Sequence, residues 1–182
     1  MKLGIRTVLI GIVILTLLSI GYSRRFDISA RMWHWTNGDF ARIGKYEMPV
    51  PGHWLVKVEP SGLTFLTDTR SPRKANAFSG MNVITIDSLP TPTRDLDSWK
   101  SYKKQWLTKN GISNPEERSL SFEGEDVVCL GGDEFNEVMK LPYTGVVSVD
   151  CLSSGSLHLM FVGQQPDLEL FYSLIPKIRK QK

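Results

Sequence analysis

An α+β fold, with an antiparallel sheet packed by helices and one hydrophobic helix ahead of it, is what this sequence predicts. Three observations predict it. Residues 7–22, TVLIGIVILTLLSIGY, carry no charge, and they lie between Lys2 and Arg6 on one side and Arg24 and Arg25 on the other. Beyond them, several short stretches alternate apolar and polar residues as strands do. Two longer stretches repeat apolar residues every three or four positions as helices do.

The apolar run comes first because it decides the compartment. Its length falls between that of a secretory signal core and the roughly 20 residues of a spanning helix. It is apolar on every face, which a helix on the surface of a soluble domain is not. Arg24 and Arg25 follow it directly, and positive charge there disfavours export of a freshly cut terminus. The run therefore reads as an uncleaved signal anchor, with a signal peptide cleaved after Ser23 as the alternative. No Cys follows it directly, so a lipoprotein anchor is excluded. Residues 1–23 are then the anchor, 24–37 a juxtamembrane linker and 38–182 one extracytoplasmic domain. The membrane, held through residues 7–22, is the first expected partner. In the linker, Trp33 and Trp35 belong either on the bilayer surface, where indoles concentrate, or on the domain. The expected location is the cell membrane, single-pass, with the C-terminal domain periplasmic. Cleavage would instead give a secreted protein.

The formal charge of +3 misleads about the domain. Of 22 basic residues, Lys2, Arg6, Arg24 and Arg25 flank the run, and the remaining 18 face 19 acidic ones. A domain near neutrality lacks the basic footprint of nucleic-acid binding, so no nucleic-acid partner is expected. The basic tail Lys177, Arg179, Lys180 and Lys182 reads as a solvated helix end that complements the helix dipole.

The elements follow in order. Asn37-Gly38 signals a turn. Residues 39–43 and 45–50 alternate weakly, and Pro49 and Pro51 stop the second strand because proline cannot donate to a ladder. Residues 53–58 and 63–67 are strands around the Pro60–Gly62 turn. Residues 68–80 are rich in Ser, Pro, Arg and Asn and read as an exposed loop. Residues 81–87 alternate again. After the Pro-rich stretch 89–93, Leu96, Trp99, Tyr102, Lys103, Trp106 and Leu107 mark the inner face of a helix over 95–109. Asp95 and Asp97 suit its first turn, and Asn110-Gly111 stops it. Residues 119–123 and 125–130 form a hairpin broken at Glu123-Gly124. Residues 145–152 and 156–163 form another around Ser153-Ser154-Gly155. Pro166 opens the last helix, and Pro176 shortens it.

In this order the chain resembles a known family. The segment YEMPVPGHW at 46–54, the Trp-rich helix 95–109, the strand GEDVVC at 124–129 and the closing hairpin with its helix are similar to the PsbP-like fold, over residues 39–180. The resemblance implies an α/β/α sandwich. That fold includes photosystem oxygen-evolving-complex proteins and small bacterial envelope proteins of the DcrB type, mostly accessory or binding proteins. It transfers no functional residue to this chain, because no functional motif of the family matches here.

Motifs for chemistry are sparse. His34, His53 and His158 lack zinc-ligand spacing, so no metal is expected. Gly131-Gly132 follows a strand but lacks the rest of a phosphate loop. No cofactor is expected. One constellation stands out in the last hairpin. A turn about Ser154 pairs Val147 with Phe161, Val149 with Leu159 and Cys151 with Leu157, which sets Asp150 against His158 on the other face. With Ser156 nearby this is either a hydrolase triad or a cross-strand ion pair. Trp54, Trp99 and Trp106 are further binding candidates if a pocket lies beside them.

The two cysteines fall in predicted strands. An antiparallel register that sets Cys129 opposite Cys151 also sets Gly131 opposite Val149, with both cysteines on the core face. An exported domain permits the bridge; two buried thiols are the alternative. The expected function is a membrane-tethered interaction or accessory module without catalysis, partnered by an envelope protein. The alternative is a domain that binds a small molecule or lipid, or a hydrolase using Ser156, His158 and Asp150.

Overall fold

The computed structural model describes residues 5–60, 63–69, 80–85, 95–110, 115–132, 146–154 and 157–181. The loop expected over most of 68–80 and the Pro-rich stretch 89–93 lie outside them. The chain is α+β, as its periodicities predict. Two helices open it, α1 (Ile5–Ser23) and α2 (Arg25–Asn37). The stretch expected as a linker is thus helical.

Strands β1 (Phe40–Ile43) and β2 (Tyr46–Pro49) form a hairpin. Gly44, at φ +56°, supplies the left-handed turn residue between them. A seven-stranded antiparallel sheet follows. Its strands are β3 (Trp54–Val58), β4 (Thr64–Asp68), β5 (Gly80–Thr85), β6 (Glu116–Phe122), β7 (Glu125–Gly132), β8 (Val146–Ser153) and β9 (Leu157–Gln164). Their order across the sheet is β3-β4-β5-β9-β8-β7-β6. The β6–β7 turn has both Glu123, at φ +44°, and Gly124, at φ +78°, in the left-handed region, as a tight two-residue hairpin requires.

Helices cover both faces. On one, α3 (Leu96–Lys109) lays Trp99, Leu107 and the half-buried Trp106 on Val128, Leu130 and Leu152. Asp95 caps this helix by accepting a hydrogen bond from the Ser98 amide at 2.9 Å. The expected inner face holds in part: Tyr102 is 55% exposed, and Lys103 is on that face for its charge. On the other face, Val127, Cys129, Val147, Val149, Cys151, Leu159 and Phe161 form the main core. They pack with Phe171 and Tyr172 of α4 (Gln165–Leu174) and with Tyr46 and Met48 of the small sheet. Phe161 and Phe171 stack at 5.1 Å.

Three expectations need correction. The last hairpin is shifted by two residues: Val147 faces Gly163, Val149 faces Phe161 and Cys151 faces Leu159. The reason is Ser153, which stays in the ladder because its Oγ accepts from the Leu157 amide at 3.0 Å and donates to Glu125 at 2.9 Å. A two-residue slip preserves the face of every side chain, so the core survives the error. The basic tail is not a helix end. After a 3-10 turn at Ile175–Lys177, a short β10 (Arg179–Lys180) pairs with β2. The last helix begins at Gln165, which places Pro166 one residue further inside its first turn. Of the two indoles left open between bilayer and domain, Trp33 packs on the domain, while Trp35 is 87% exposed.

The β7–β8 register agrees with the expected one at Cys129–Cys151 and Gly131–Val149. The two sulfurs are bonded, with the Cα atoms 4.0 Å apart. Closing the intervening loop stabilises the fold by roughly 3 kcal/mol on the chain-entropy account.

Candidate functional site

The most polar constellation on the α3 face is Lys103, Asp150 and His158. Helical spacing places Lys103 one turn from both Trp99 and Trp106, so burying the indoles carries the ammonium onto the sheet. Asp150 alternates with Val149 and Cys151 on β8 and so points away from the main core. His158 sits diagonally across on β9, because Asp150 itself faces Met160 and His158 faces Leu152. The sequence expects Asp150 and His158 directly opposite; the shifted register makes them diagonal neighbours that still touch.

Asp150 Oδ1 meets His158 Nε2, and Asp150 Oδ2 meets Lys103 Nζ. The three side chains are 13–15% exposed. Burial pushes the Asp150 carboxyl up, but the His158 hydrogen bond and charge, with the Lys103 ammonium, outweigh it and hold the group below the usual carboxylate range. Lys103 also lies 4.8 Å over the Trp106 ring. The cluster thus pins α3 to the sheet. Nearby, Lys104 reaches Glu117 at 2.6 Å, and Lys100 meets the same carboxylate.

A triad orients the imidazole through Nδ1 and leaves Nε2 for the nucleophile. Here the carboxylate meets Nε2, and Lys103 occupies its other oxygen. Ser156 lies outside the described residues. Among the described residues no group of three His, Cys, Asp or Glu side chains is placed to hold a metal ion.

The tryptophan candidates separate. Trp54 is fully buried in the main core, its indole N–H donating to His53 Nε2 at 3.0 Å. Trp99 and Trp106 are across the sheet in the other cluster. A surface cleft of about 420 Å³ lies instead between α2, β1 and β3, lined by Trp33, Asn37, Phe40, Val56 and Val58.

A buried network that motif reading misses joins the two sheets. Glu125, 5% exposed, accepts from the Tyr46 hydroxyl at 3.2 Å and from Ser153 Oγ at 2.9 Å. Lys180 Nζ neutralises it at 3.0 Å. Burial, then the Glu125 charge, pushes the Tyr46 phenol well above its ordinary range. Tyr46 and Glu125 are 79 residues apart, so no local spacing signals the contact.

The helix α2 is held by a second polar joint. His34 presents Nδ1 to the Asp39 carboxylate at 3.1 Å and Nε2 to the Pro51 carbonyl at 3.0 Å.

No family model matches the chain, and no curated protein does. Among solved structures the chain is similar to the solution structure of cyanobacterial PsbP (CyanoP) from Synechocystis sp. PCC 6803. The identity is 13%, over 75% of this chain and 86% of that one, with a TM-score of 0.39.

Proposed function

We propose that this chain is a membrane-tethered extracytoplasmic interaction or accessory module that catalyses no reaction, with an envelope protein as its partner. One observation carries the reading: the large apolar side chains between Leu9 and Ile20 stand open on every side of α1, with Leu15 at 68% and Leu18 at 65% exposed. Water does not tolerate such a surface without cost, and a bilayer covers it. Among the described residues no single helix is long and apolar enough to cross a membrane; Leu9–Tyr22 and Arg25–Asn37 reach that standard only together, across a bend of 66°. The uncharged run 7–22 extends about 24 Å as a helix, some way short of the roughly 30 Å of a hydrocarbon core. The bonded cysteines suit an oxidising compartment such as the periplasm. The PsbP-like resemblance of the sequence implies an accessory role of the same kind, and kinship with its DcrB-type envelope members is part of the proposal.

The alternative is a domain that binds a small molecule or lipid. The cleft below α2 favours it, since its volume falls in the ligand-site range of about 300–1,000 Å³. A ligand retained through native purification would move the balance toward that reading.

Carbonate washing of membranes from cells expressing the full chain tests the tether. The protein is expected to stay with the membrane. Recovery in the soluble fraction with a new N-terminus near Arg24 would show a cleaved signal instead.

A further inference from the structure

We propose that the outward face of α2 docks on the surface of the lipid bilayer, with its arginines on lipid phosphates. The inference rests on the membrane-tether reading and goes beyond it, because it assigns a second contact and an orientation to the domain. Ala30, Trp33 and His34 occupy the inward face of α2, on the sandwich. Ile28, Met32 and Trp35 repeat at four and three residues on the opposite face. They are 45%, 58% and 87% exposed. At 100° per residue, Arg25 and Arg31 fall on either side of this stripe. An apolar strip edged by arginines is the pattern of a helix that lies in the headgroup layer, where the rings sink and the guanidiniums meet phosphate.

The junction with α1 supports the same placement. Arg25 lies 4.0 Å over the Tyr22 ring, and Tyr22 is 71% exposed. Tyr22 and Trp35 thus mark the two ends of the stripe with the side chains that favour the interface. The 66° bend between the helices turns α2 toward the membrane plane when α1 enters along the normal. The indole pair divides its work: Trp33 fixes α2 to the domain, and Trp35 fixes it to the lipid.

The test uses the full chain in vesicles of phosphatidylethanolamine and phosphatidylglycerol. Nitroxides are placed singly at Ile28→Cys, Met32→Cys, Leu15→Cys and Lys109→Cys; the native cysteines are bonded to each other. The ratio of oxygen to nickel-chelate accessibility is read by electron paramagnetic resonance. The expected result is a ratio several-fold higher at 28 and 32 than at 109, with 15 higher still. Water-like values at 28 and 32 with a lipid-like value at 15 overturn the docking and leave the tether standing. Water-like values at all four sites overturn both. Spin–spin broadening at 28 and 32 would seat a second copy on this face and also overturn the proposal.

Discussion

Gly131→Ala is expected to cost about 4 kcal/mol or more, at the extreme of single substitutions. A Cβ at Gly131 would lie 2.2 Å from the Ser148 carbonyl oxygen and 2.8 Å from Val149 Cα. Both are backbone atoms of the neighbouring strand, so no side chain can swing away to make room. Nor can β7 and β8 part easily, because the Cys129–Cys151 bond ties them two residues away on the same face. Gly52→Ala is the control. It has nothing within 4 Å, and its change should stay within about 0.5 kcal/mol. Urea unfolding of both variants measures the difference. A loss below about 1 kcal/mol for Gly131→Ala would mean that the two strands are not held in this register.

Asp150→Ala is the second large effect. It leaves the Lys103 ammonium and His158 without their anion at a site 13–15% exposed. Breaking a buried pair from one side costs about 3–5 kcal/mol. The pH dependence has a definite sign. The folded state holds the carboxyl below its unfolded value. Its contribution is therefore full above the unfolded value, about pH 4, and is lost as pH falls through the lower folded value. The gap between wild type and variant should persist from neutral pH down to about pH 4 and close below it. A gap that is constant down to pH 2 would mean that lost packing, not the carboxylate, is responsible.

The sequence and the structure agree where local pattern and long-range pairing coincide. The β7–β8 register is legible once the two cysteines are taken as bridged, because the bridge selects one of the even slips that an alternating face allows. The α3 face is legible from Trp99 and Leu107, though spacing alone does not say that Lys103 lies on it to meet Asp150. Other features depend on contacts that no window contains. Ser153 looks like a turn residue and is held in a strand by Glu125, 28 positions away. β10 is two residues long and exists because β2 offers it an edge. The helical state of α2 is hidden by a sequence with apolar residues on two faces, although the spacing of Ile28, Met32 and Trp35 is a usable helical signal. Gly131 reads in sequence as part of an incomplete phosphate loop, whereas its need is close backbone approach.

The side of the membrane on which the sandwich lies is the most direct test of the proposed module. Lys109→Cys puts one thiol on an exposed position of α3, while Cys129 and Cys151 are bonded to each other and silent. Cells expressing this variant of the full chain are treated with a membrane-impermeant maleimide before and after lysis, with the outer barrier opened in both. Labelling that is complete before lysis is the expected result. Labelling only after lysis would place the domain in the cytoplasm and contradict the account.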